Sequence, residues 1–460
     1  MLDYRLEYFS YFGTTASTLS DVERNAGFVS AFPTVLEGNS LPDITTGEKQ
    51  PVGTLPVKGQ GTVAVQLKPS TYFAITLSPS PQLKDGGTTL QLELTDSTAK
   101  FFSVTTTIDT KNPIRKEEIT ATFPKGIDAA KLIPGVDDLF WLSVDKENGV
   151  IRYGKTFRTA AVTYLMATVD VGDIVTKPGP FIWIKQLEYV SISSQQTNYD
   201  IRPDIGKVSI GRLPIVDDLP PVITESIALS LEDLALNTTT SIANLDPACQ
   251  RLYGNIAGPN IQLDDKNFPD FSQALEYSIR TPGCICYENL KSKVGEFGND
   301  PSMTYLRITL GLDEGNSPGV PFVVEIWPSK HKSPIHDHGE AYAVIKVLHG
   351  KINASYFNKL DKVNVKLEPD IMLEKGNITW IGPDNYQVHQ LHNDFDRVCV
   401  TIQCYQYAKK DMSHDEYFEY LEEETNDKKP FKPDSDWDFI SFKKLVKEEW
   451  ERHLKELEWK

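Results

Sequence analysis

Two stretches of this chain consist of short runs rich in β-branched and aromatic residues, each closed by glycine, asparagine, aspartate or proline. In the first stretch the runs are TVAVQL (62–67), TYFAITL (71–77), TLQLEL (89–94), FFSVTTTI (101–108) and FIWIKQLEYVSI (181–192). From about 303 they return as MTYLRITLGL, PFVVEIW, AYAVIKVL, KINASYF and RVCVTIQCYQY. Runs this short and this frequently turned favour antiparallel sheets over helical or parallel architectures. Asp85-Gly86-Gly87 marks one turn, and Asn148-Gly149 between FWLSV and VIRYG predicts a hairpin.

The stretch between the two sets differs. Residues 211–222, GRLPIVDDLPPV, have the proline-rich acidic composition of a linker. SLEDLALNTTTSIANL and DFSQALEYSI then carry apolar residues at mixed helical spacings, which predicts short helices. Beyond 409 the chain becomes acidic and ends in FISFKKLVKEEWERHLKELEW (439–459). There Phe442, Leu445, Val446, Leu454 and Leu457 fall roughly on one helical face, predicting a helix packed on the preceding domain. The expected organisation is a β-sandwich over 1–210, a linker over 211–224, a second β domain with a helical lead-in over 225–408, and an acidic extension over 409–460.

A length of 460 residues suits two to three domains. The formal charge of −17 disfavours a nucleic-acid backbone or an anionic membrane surface as partner. Five cysteines (Cys249, Cys284, Cys286, Cys399, Cys404) in a chain of this length do not form a disulfide framework, which points to a reducing compartment. Cys399 and Cys404 are expected in a strand core, pointing away from any cavity. The opening MLDYRLEYFSYFG lacks a basic segment followed by an apolar core, and no stretch reaches membrane-spanning length; a cytoplasmic location is expected.

All eight histidines lie between 331 and 453. His336-Asp337-His338 reads as part of a strand, where side chains two apart share a face and both imidazoles can reach one metal ion. Gly350 closes the next strand. Gly376 opens a second block, which ends in His389-Gln-Leu-His-Asn393. Together these resemble the two-block signature of cupins, whose fold is a jelly-roll β-barrel, and that resemblance implies His336, His338 and His389 as ligands. His392 is the alternative third ligand, but only His389 has an asparagine four residues on. His331, His349, His414 and His453 read as structural or solvent-side. The glutamate that many cupins carry after the second histidine is missing, since Tyr342 and Ala343 stand there and Glu340 comes too early. The second block has Gly382-Pro383-Asp384 where a Pro-x-Gly turn is usual. Three neutral imidazoles suit iron, zinc, copper or nickel.

The segment from Trp327 through Pro-Ser-Lys-His-Lys-Ser-Pro-Ile to His336-Asp-His338 resembles the entry to the metal site of cysteine dioxygenases. Tyr305-Leu-Arg307 with DEGN (313–316) resembles that family's Tyr-x-Arg element, and Val400-Thr-Ile-Gln-Cys-Tyr405 its Val-Ser-Leu-His-Leu-Tyr strand. The resemblance covers about 300–407. It implies Fe(2+) as cofactor, Arg307 as partner of a substrate carboxylate, Tyr305 as a further substrate contact, and Tyr405 as a hydroxyl beside the reacting groups. It also implies a catalytic row of Thr401, Gln403 and Tyr405. Gln403 replaces the family's histidine and cannot become a cation near neutral pH. Ala343 stands where animal members carry the cysteine that cross-links to the tyrosine. The segment FWLSVDKENGVIRYGK (140–155) is weakly similar to the β-sandwich module named after farnesoic acid O-methyltransferase.

The fold expected is therefore mainly β: an N-terminal antiparallel sandwich and a C-terminal cupin barrel with flanking helices. The resemblance implies a non-haem iron enzyme that converts L-cysteine and O2 to cysteine sulfinate, within cysteine catabolism and taurine biosynthesis. 3-Mercaptopropionate or another small thiol acid is the alternative substrate. A non-catalytic cupin joined to a sandwich that binds glycan or protein is the reading from another class.

Overall fold

In a computed structural model, the described residues are 34–37, 51–82, 87–107, 114–173, 177–195, 204–310, 322–362, 364–406 and 418–458. The turn residues Asp85 and Gly86, the DEGN segment and His414 lie outside them. The chain is mainly β and divides into two units, one ending at 155 and resuming over 163–216, the other comprising 156–162 and 217 onward.

The first unit contains two six-stranded antiparallel sheets. In spatial order, one runs Thr34–Glu37, Asp204–Gly211, Gly61–Lys68, Asp138–Asp145, Val150–Lys155, Thr163–Thr168. The other runs Pro51–Thr54, Tyr189–Gln195, Tyr72–Ser78, Thr88–Thr95, Ala99–Thr106, Ile114–Ile119. Inward residues of both bury completely, and Phe73 of one sheet meets Phe140 of the other with ring centroids 5.5 Å apart. This is the sandwich that the alternation predicts. The Asn148-Gly149 hairpin forms, with Gly149 at φ +62°, where a Cβ would lie 2.0 Å from the Val169 carbonyl oxygen. One expectation fails here: FIWIKQLEYVSI is not one strand. Ile182–Gln186 forms a short 3₁₀ helix, and the strand begins at Tyr189. Pro178 and Pro180 just upstream supply no ladder donors, so the segment closes local turns instead, such as Leu187 N–H to the Ile184 carbonyl.

The second unit holds an eight-stranded sheet and a six-stranded sheet. The first runs Thr240–Ser241, Val222–Thr224, Ile378–Ile381, Tyr342–His349, Cys399–Gln406, Phe322–Trp327, Leu306–Leu310, Trp437–Asp438. The second runs Lys366–Glu374, Lys351–Phe357, His389–His392, Ile335–His336, Phe418–Leu421, Lys428–Phe431. Trp327, Val347 and Cys399 from the first share a core with Ile352, Ala354, Leu373 and Leu391 from the second. The sheets thus face each other as a jelly roll, and among the described residues their ladders do not close into a barrel.

The other face of the eight-stranded sheet packs on helices Pro247–Ile256, Phe271–Arg280, Ile285–Ser292 and Phe439–Glu458. Leu306, Ile308, Val324, Ile326, Val400, Ile402 and Cys404 lie in that layer. Their odd-numbered neighbours therefore point between the sheets. This corrects the expectation for Cys399, which shares parity with Thr401 and lies in the inter-sheet core beside Trp327 and Tyr305. All five cysteines are buried free thiols. No described helix is long and apolar enough to cross a membrane.

Two boundaries differ from those expected. The second half of the segment read as a linker belongs to the second unit. Val222–Thr224 is a strand, Trp380 Nε1 donates to the Pro220 carbonyl at 2.9 Å, and the Tyr386 hydroxyl donates to that of Leu219. The acidic extension supplies three strands and a helix. His336 pairs in register with Tyr420, and Ile308 with Trp437. Polar composition hid these strands, which occupy sheet edges or rims where one face meets water. Along the final helix only the first part of the predicted face is covered. Phe442 and Val446 are fully buried, whereas Leu454 and Leu457 are exposed.

Deleting 409–460 should therefore prevent the second unit from folding. Burying Phe442 and Val446 alone accounts for about 1.5–3 kcal/mol each. Near-ultraviolet circular dichroism and limited proteolysis of the truncated chain should show lost tertiary packing; a native-like spectrum would contradict this account.

Candidate metal centre

The site forms where the two sheets face each other. His336 ends the short strand Ile335–His336 and pairs in register with His389. His338 lies two residues on, after the strand has ended and just before a turn with Gly339 and Glu340 at φ +55° and +65°. Glu340 is exposed and its N–H donates to Gln387 Oε1 at 3.2 Å, so it is no substitute for the missing cupin glutamate.

The three imidazoles are buried, and a ligand atom from each lies within 4.8 Å of the others. Their ring centroids are 4.6–5.0 Å apart. His336 Nδ1 lies 3.0 Å from the Pro334 carbonyl, and His389 Nδ1 3.0 Å from that of Tyr386. Donation of Nδ1–H to those carbonyls leaves Nε2 with its lone pair free, the tautomer a metal ligand needs. His338 Nδ1 is buried and has no hydrogen-bond partner among the described residues. Burial pushes His336 down to about 4 and His389 to about 3, and holds His338 well below its ordinary value. Three neutral nitrogen donors with an orphaned buried atom among them fit a divalent transition metal.

His392 resolves as structural. It projects from the opposite face of its strand, with Nδ1 2.7 Å from Asp394 and Nε2 3.0 Å from Ser355. Asn393 is fully buried, and its Nδ2 reaches the carbonyls of Trp327, Pro328 and Arg397 at 2.8–3.1 Å. It ties the loop entering the site to the loop leaving it. His331 Nδ1 lies 2.8 Å from the Thr304 carbonyl, and His453 stacks on Tyr277. The unusual Gly382-Pro383-Asp384 turn is closed by paired backbone bonds between Gly382 and Asn385. Gln387 Nε2 anchors it, donating to the carbonyls of Gly382 and Ala341.

A pocket adjoins the histidines. Tyr305, Arg307, Gln403 and Tyr405 line it, as their shared parity requires, together with Glu325, Trp327, Phe418, Phe431 and Pro433. Tyr305 stacks on Trp327 at 4.4 Å, and Tyr405 stacks on His338 at 5.4 Å. Ala343 is the cross-strand partner of Tyr405. Thr401 stands apart from the others. Its hydroxyl accepts from Trp327 Nε1 at 3.3 Å, and it lines an adjoining, mainly apolar pocket that shares His389, Leu391 and Gln403 with the first.

Glu325, inside the apolar run PFVVEIW, went unread in the sequence. It sits opposite Arg307 in the strand ladder. Gln403 Nε2 donates to Glu325 Oε2, and the Tyr405 hydroxyl donates to Gln403 Oε1. Arg307 Nε lies 3.8 Å from Glu325 Oε1, and its Nη1 donates to the Pro433 carbonyl. Tyr405, Gln403, Glu325 and Arg307 thus form one polar chain, buried up to the partly buried Arg307. Desolvation pushes Glu325 up to about 7 against the opposing pull of Arg307 and Gln403. A charged residue at an inward position of a central strand was the available signal. Phe418, Phe431 and Pro433 come from the segment read as an extension and had no signal of comparable strength.

Fold and site together define a jelly-roll β protein with a buried three-histidine group able to hold a metal ion. No protein-family model matches the chain. Similar solved structures include an oxalate oxidase bound to the substrate analogue glycolate, at 17% identity and TM-score 0.20 over 23% of this chain and 51% of that one. A DMSP lyase from Ruegeria pomeroyi matches at 16% identity and TM-score 0.18 over 23% and 48%. An uncharacterized conserved protein with a double-stranded β-helix domain from Klebsiella pneumoniae matches at 18% identity and TM-score 0.19 over 25% and 85%. The chain spans about half the length of the oxidase and the lyase.

The depressed histidine values give a pH dependence. The unfolded chain takes up protons near 6.5 while the folded imidazoles resist them to about 4 and below, so stability is present above 6.5 and lost as pH falls from there. Glu325 and Asp337, raised to about 7 and about 6, act in the opposite sense, so a variant must isolate the imidazole. In metal-stripped protein, Tm should fall less between pH 7 and 5 for His336→Gln than for wild type. Equal slopes would contradict the assignment.

Proposed function

We propose that this protein is a non-haem iron thiol dioxygenase whose favoured substrate is L-cysteine. The observation that carries the reading is a buried group of three neutral imidazoles, with Arg307 and Tyr405 in the pocket beside it. Among the described residues no carboxylate joins that ligand group. An anionic thiolate would supply the missing negative charge.

The overall reaction adds both atoms of O2 to sulfur and releases one proton, RSH + O2 → RSO2⁻ + H⁺. Bound ferrous iron would supply Lewis acidity favouring thiolate over thiol, and redox capacity for dioxygen chemistry. The chain's own residues do the rest. Arg307 fixes the substrate carboxylate, for which its planar fork is suited. Tyr405 presents a hydroxyl whose proton is held toward Gln403, which Glu325 holds in turn. Gln403 relays that orientation but takes no charge, so proton exchange falls to Glu325. Phe418, Phe431 and Pro433 cover the pocket and limit water.

Arg307→Ala should lower kcat/KM for cysteine about ten- to a hundred-fold, the loss of a charge-assisted contact of about 1.5–3 kcal/mol. Arg307→Lys should recover part of it. Cysteamine, which has no carboxylate, should be nearly unaffected. Oxygen consumption with iron-replete protein measures all three. Absence of thiol-dependent oxygen uptake in wild type would overturn the reading, and equal losses on both thiols would make Arg307 a structural residue.

A further inference from the structure

Beside Arg307 the pocket holds a second charged group, which also ends the Tyr405–Gln403 hydrogen-bond chain. Glu325 is buried, lines the same pocket, and pairs with Arg307 across the ladder. We propose that Glu325 determines substrate choice, selecting a small thiol that carries an ammonium together with its carboxylate and rejecting one that carries a carboxylate alone. The inference rests on the reading of this pocket as a thiol site and deepens it.

The argument is one of charge balance in a desolvated space. An isolated buried guanidinium would accept any carboxylate. Arg307 is not isolated, because Glu325 Oε1 lies 3.8 Å from its Nε. That spacing is an ion pair looser than a hydrogen bond. Glu325 Oε2 is held by Gln403, and the Arg307 Nη1 by the Pro433 carbonyl, so both charges are fixed in place. A lone carboxylate entering toward Arg307 meets the like charge of Glu325 with nothing to offset it. A thiol that bears an ammonium as well as a carboxylate adds no net charge at this end of the pocket and offers each member a partner: its carboxylate to Arg307, its ammonium to Glu325. Pairing of every buried charge is the condition for such a site. Specificity by repulsion of the wrong ligand follows from the same geometry. A ligand ammonium also favours the ionised form of Glu325, which burial otherwise disfavours.

Anaerobic calorimetry on the full-length, iron-replete chain tests this with L-cysteine, 3-mercaptopropionate and cysteamine, alongside oxygen consumption with each. Wild type should bind cysteine at least about ten-fold tighter than 3-mercaptopropionate. Glu325→Gln, which keeps the shape and the Gln403 contact, should shift that ratio about ten- to a hundred-fold toward 3-mercaptopropionate and weaken cysteamine. Glu325→Asp, which keeps the charge, should retain most of the wild-type preference. An unchanged ratio in Glu325→Gln overturns the inference. So does equal binding of the two acids by wild type, a result that decides even where a variant fails to fold. The expected binding ratios without oxygen uptake would uphold the role of Glu325 and overturn thiol oxidation. Oxygen uptake with ratios indifferent to Glu325 would do the reverse.

Discussion

The second unit depends on a two-residue alternation along its central strand, Cys399–Gln406, and the neighbours on either side. Even-numbered side chains of this strand, Val400, Ile402 and Cys404, pack against the helical layer. Odd-numbered ones face the space between the sheets. Because period and burial are coupled, a register slip of one residue would send Gln403 and Tyr405 into an apolar helix interface and Cys404 toward the pocket. The helices thereby fix the chemistry on the opposite face without touching it. The same constraint places Arg307 opposite Glu325, and Glu325 opposite Thr401.

Burial then sets the electrical character of the site. Removing three histidines from water keeps them neutral, which suits them to a metal and makes the metal-free fold sensitive to acid. The same desolvation raises Glu325, so its carboxylate is costly unless paired. Glu325 and Arg307 therefore belong together, and a ligand that disturbs one must answer to the other. A second cluster of contacts, Asn393 on three carbonyls and Gln387 on two, holds the loops that carry His336, His338 and His389.

Much of this was legible in the sequence because its signals are periodic or spaced. Alternating runs gave most of both units' strands, and the Asn148-Gly149 dipeptide gave its hairpin. The two histidine blocks carried the three histidines that the structure brings together, and one asparagine separated His389 from His392. What escaped was non-local. Glu325 became informative only when the ladder put it beside Arg307. The parity of Cys399 was readable but misassigned. The strands at Phe418–Leu421 and Lys428–Phe431 sit in polar, lysine-rich sequence whose strand character comes from pairing with the histidine strand and with each other. The short 3₁₀ helix at Ile182–Gln186 shows the converse, a β-prone run whose flanking prolines end the ladder.

The central claim is that His336, His338 and His389 hold one iron ion, with Arg307 and Glu325 positioning a thiol beside it. X-ray absorption at the iron edge on purified full-length protein, with and without anaerobic L-cysteine, tests it most directly. The account predicts about one iron per chain and a first shell of nitrogen and oxygen scatterers, with a sulfur scatterer appearing on cysteine addition. His389→Ala should lose the iron while His392→Ala keeps it. Iron retained in His389→Ala, or a first shell that gains no sulfur when cysteine is added, would contradict it.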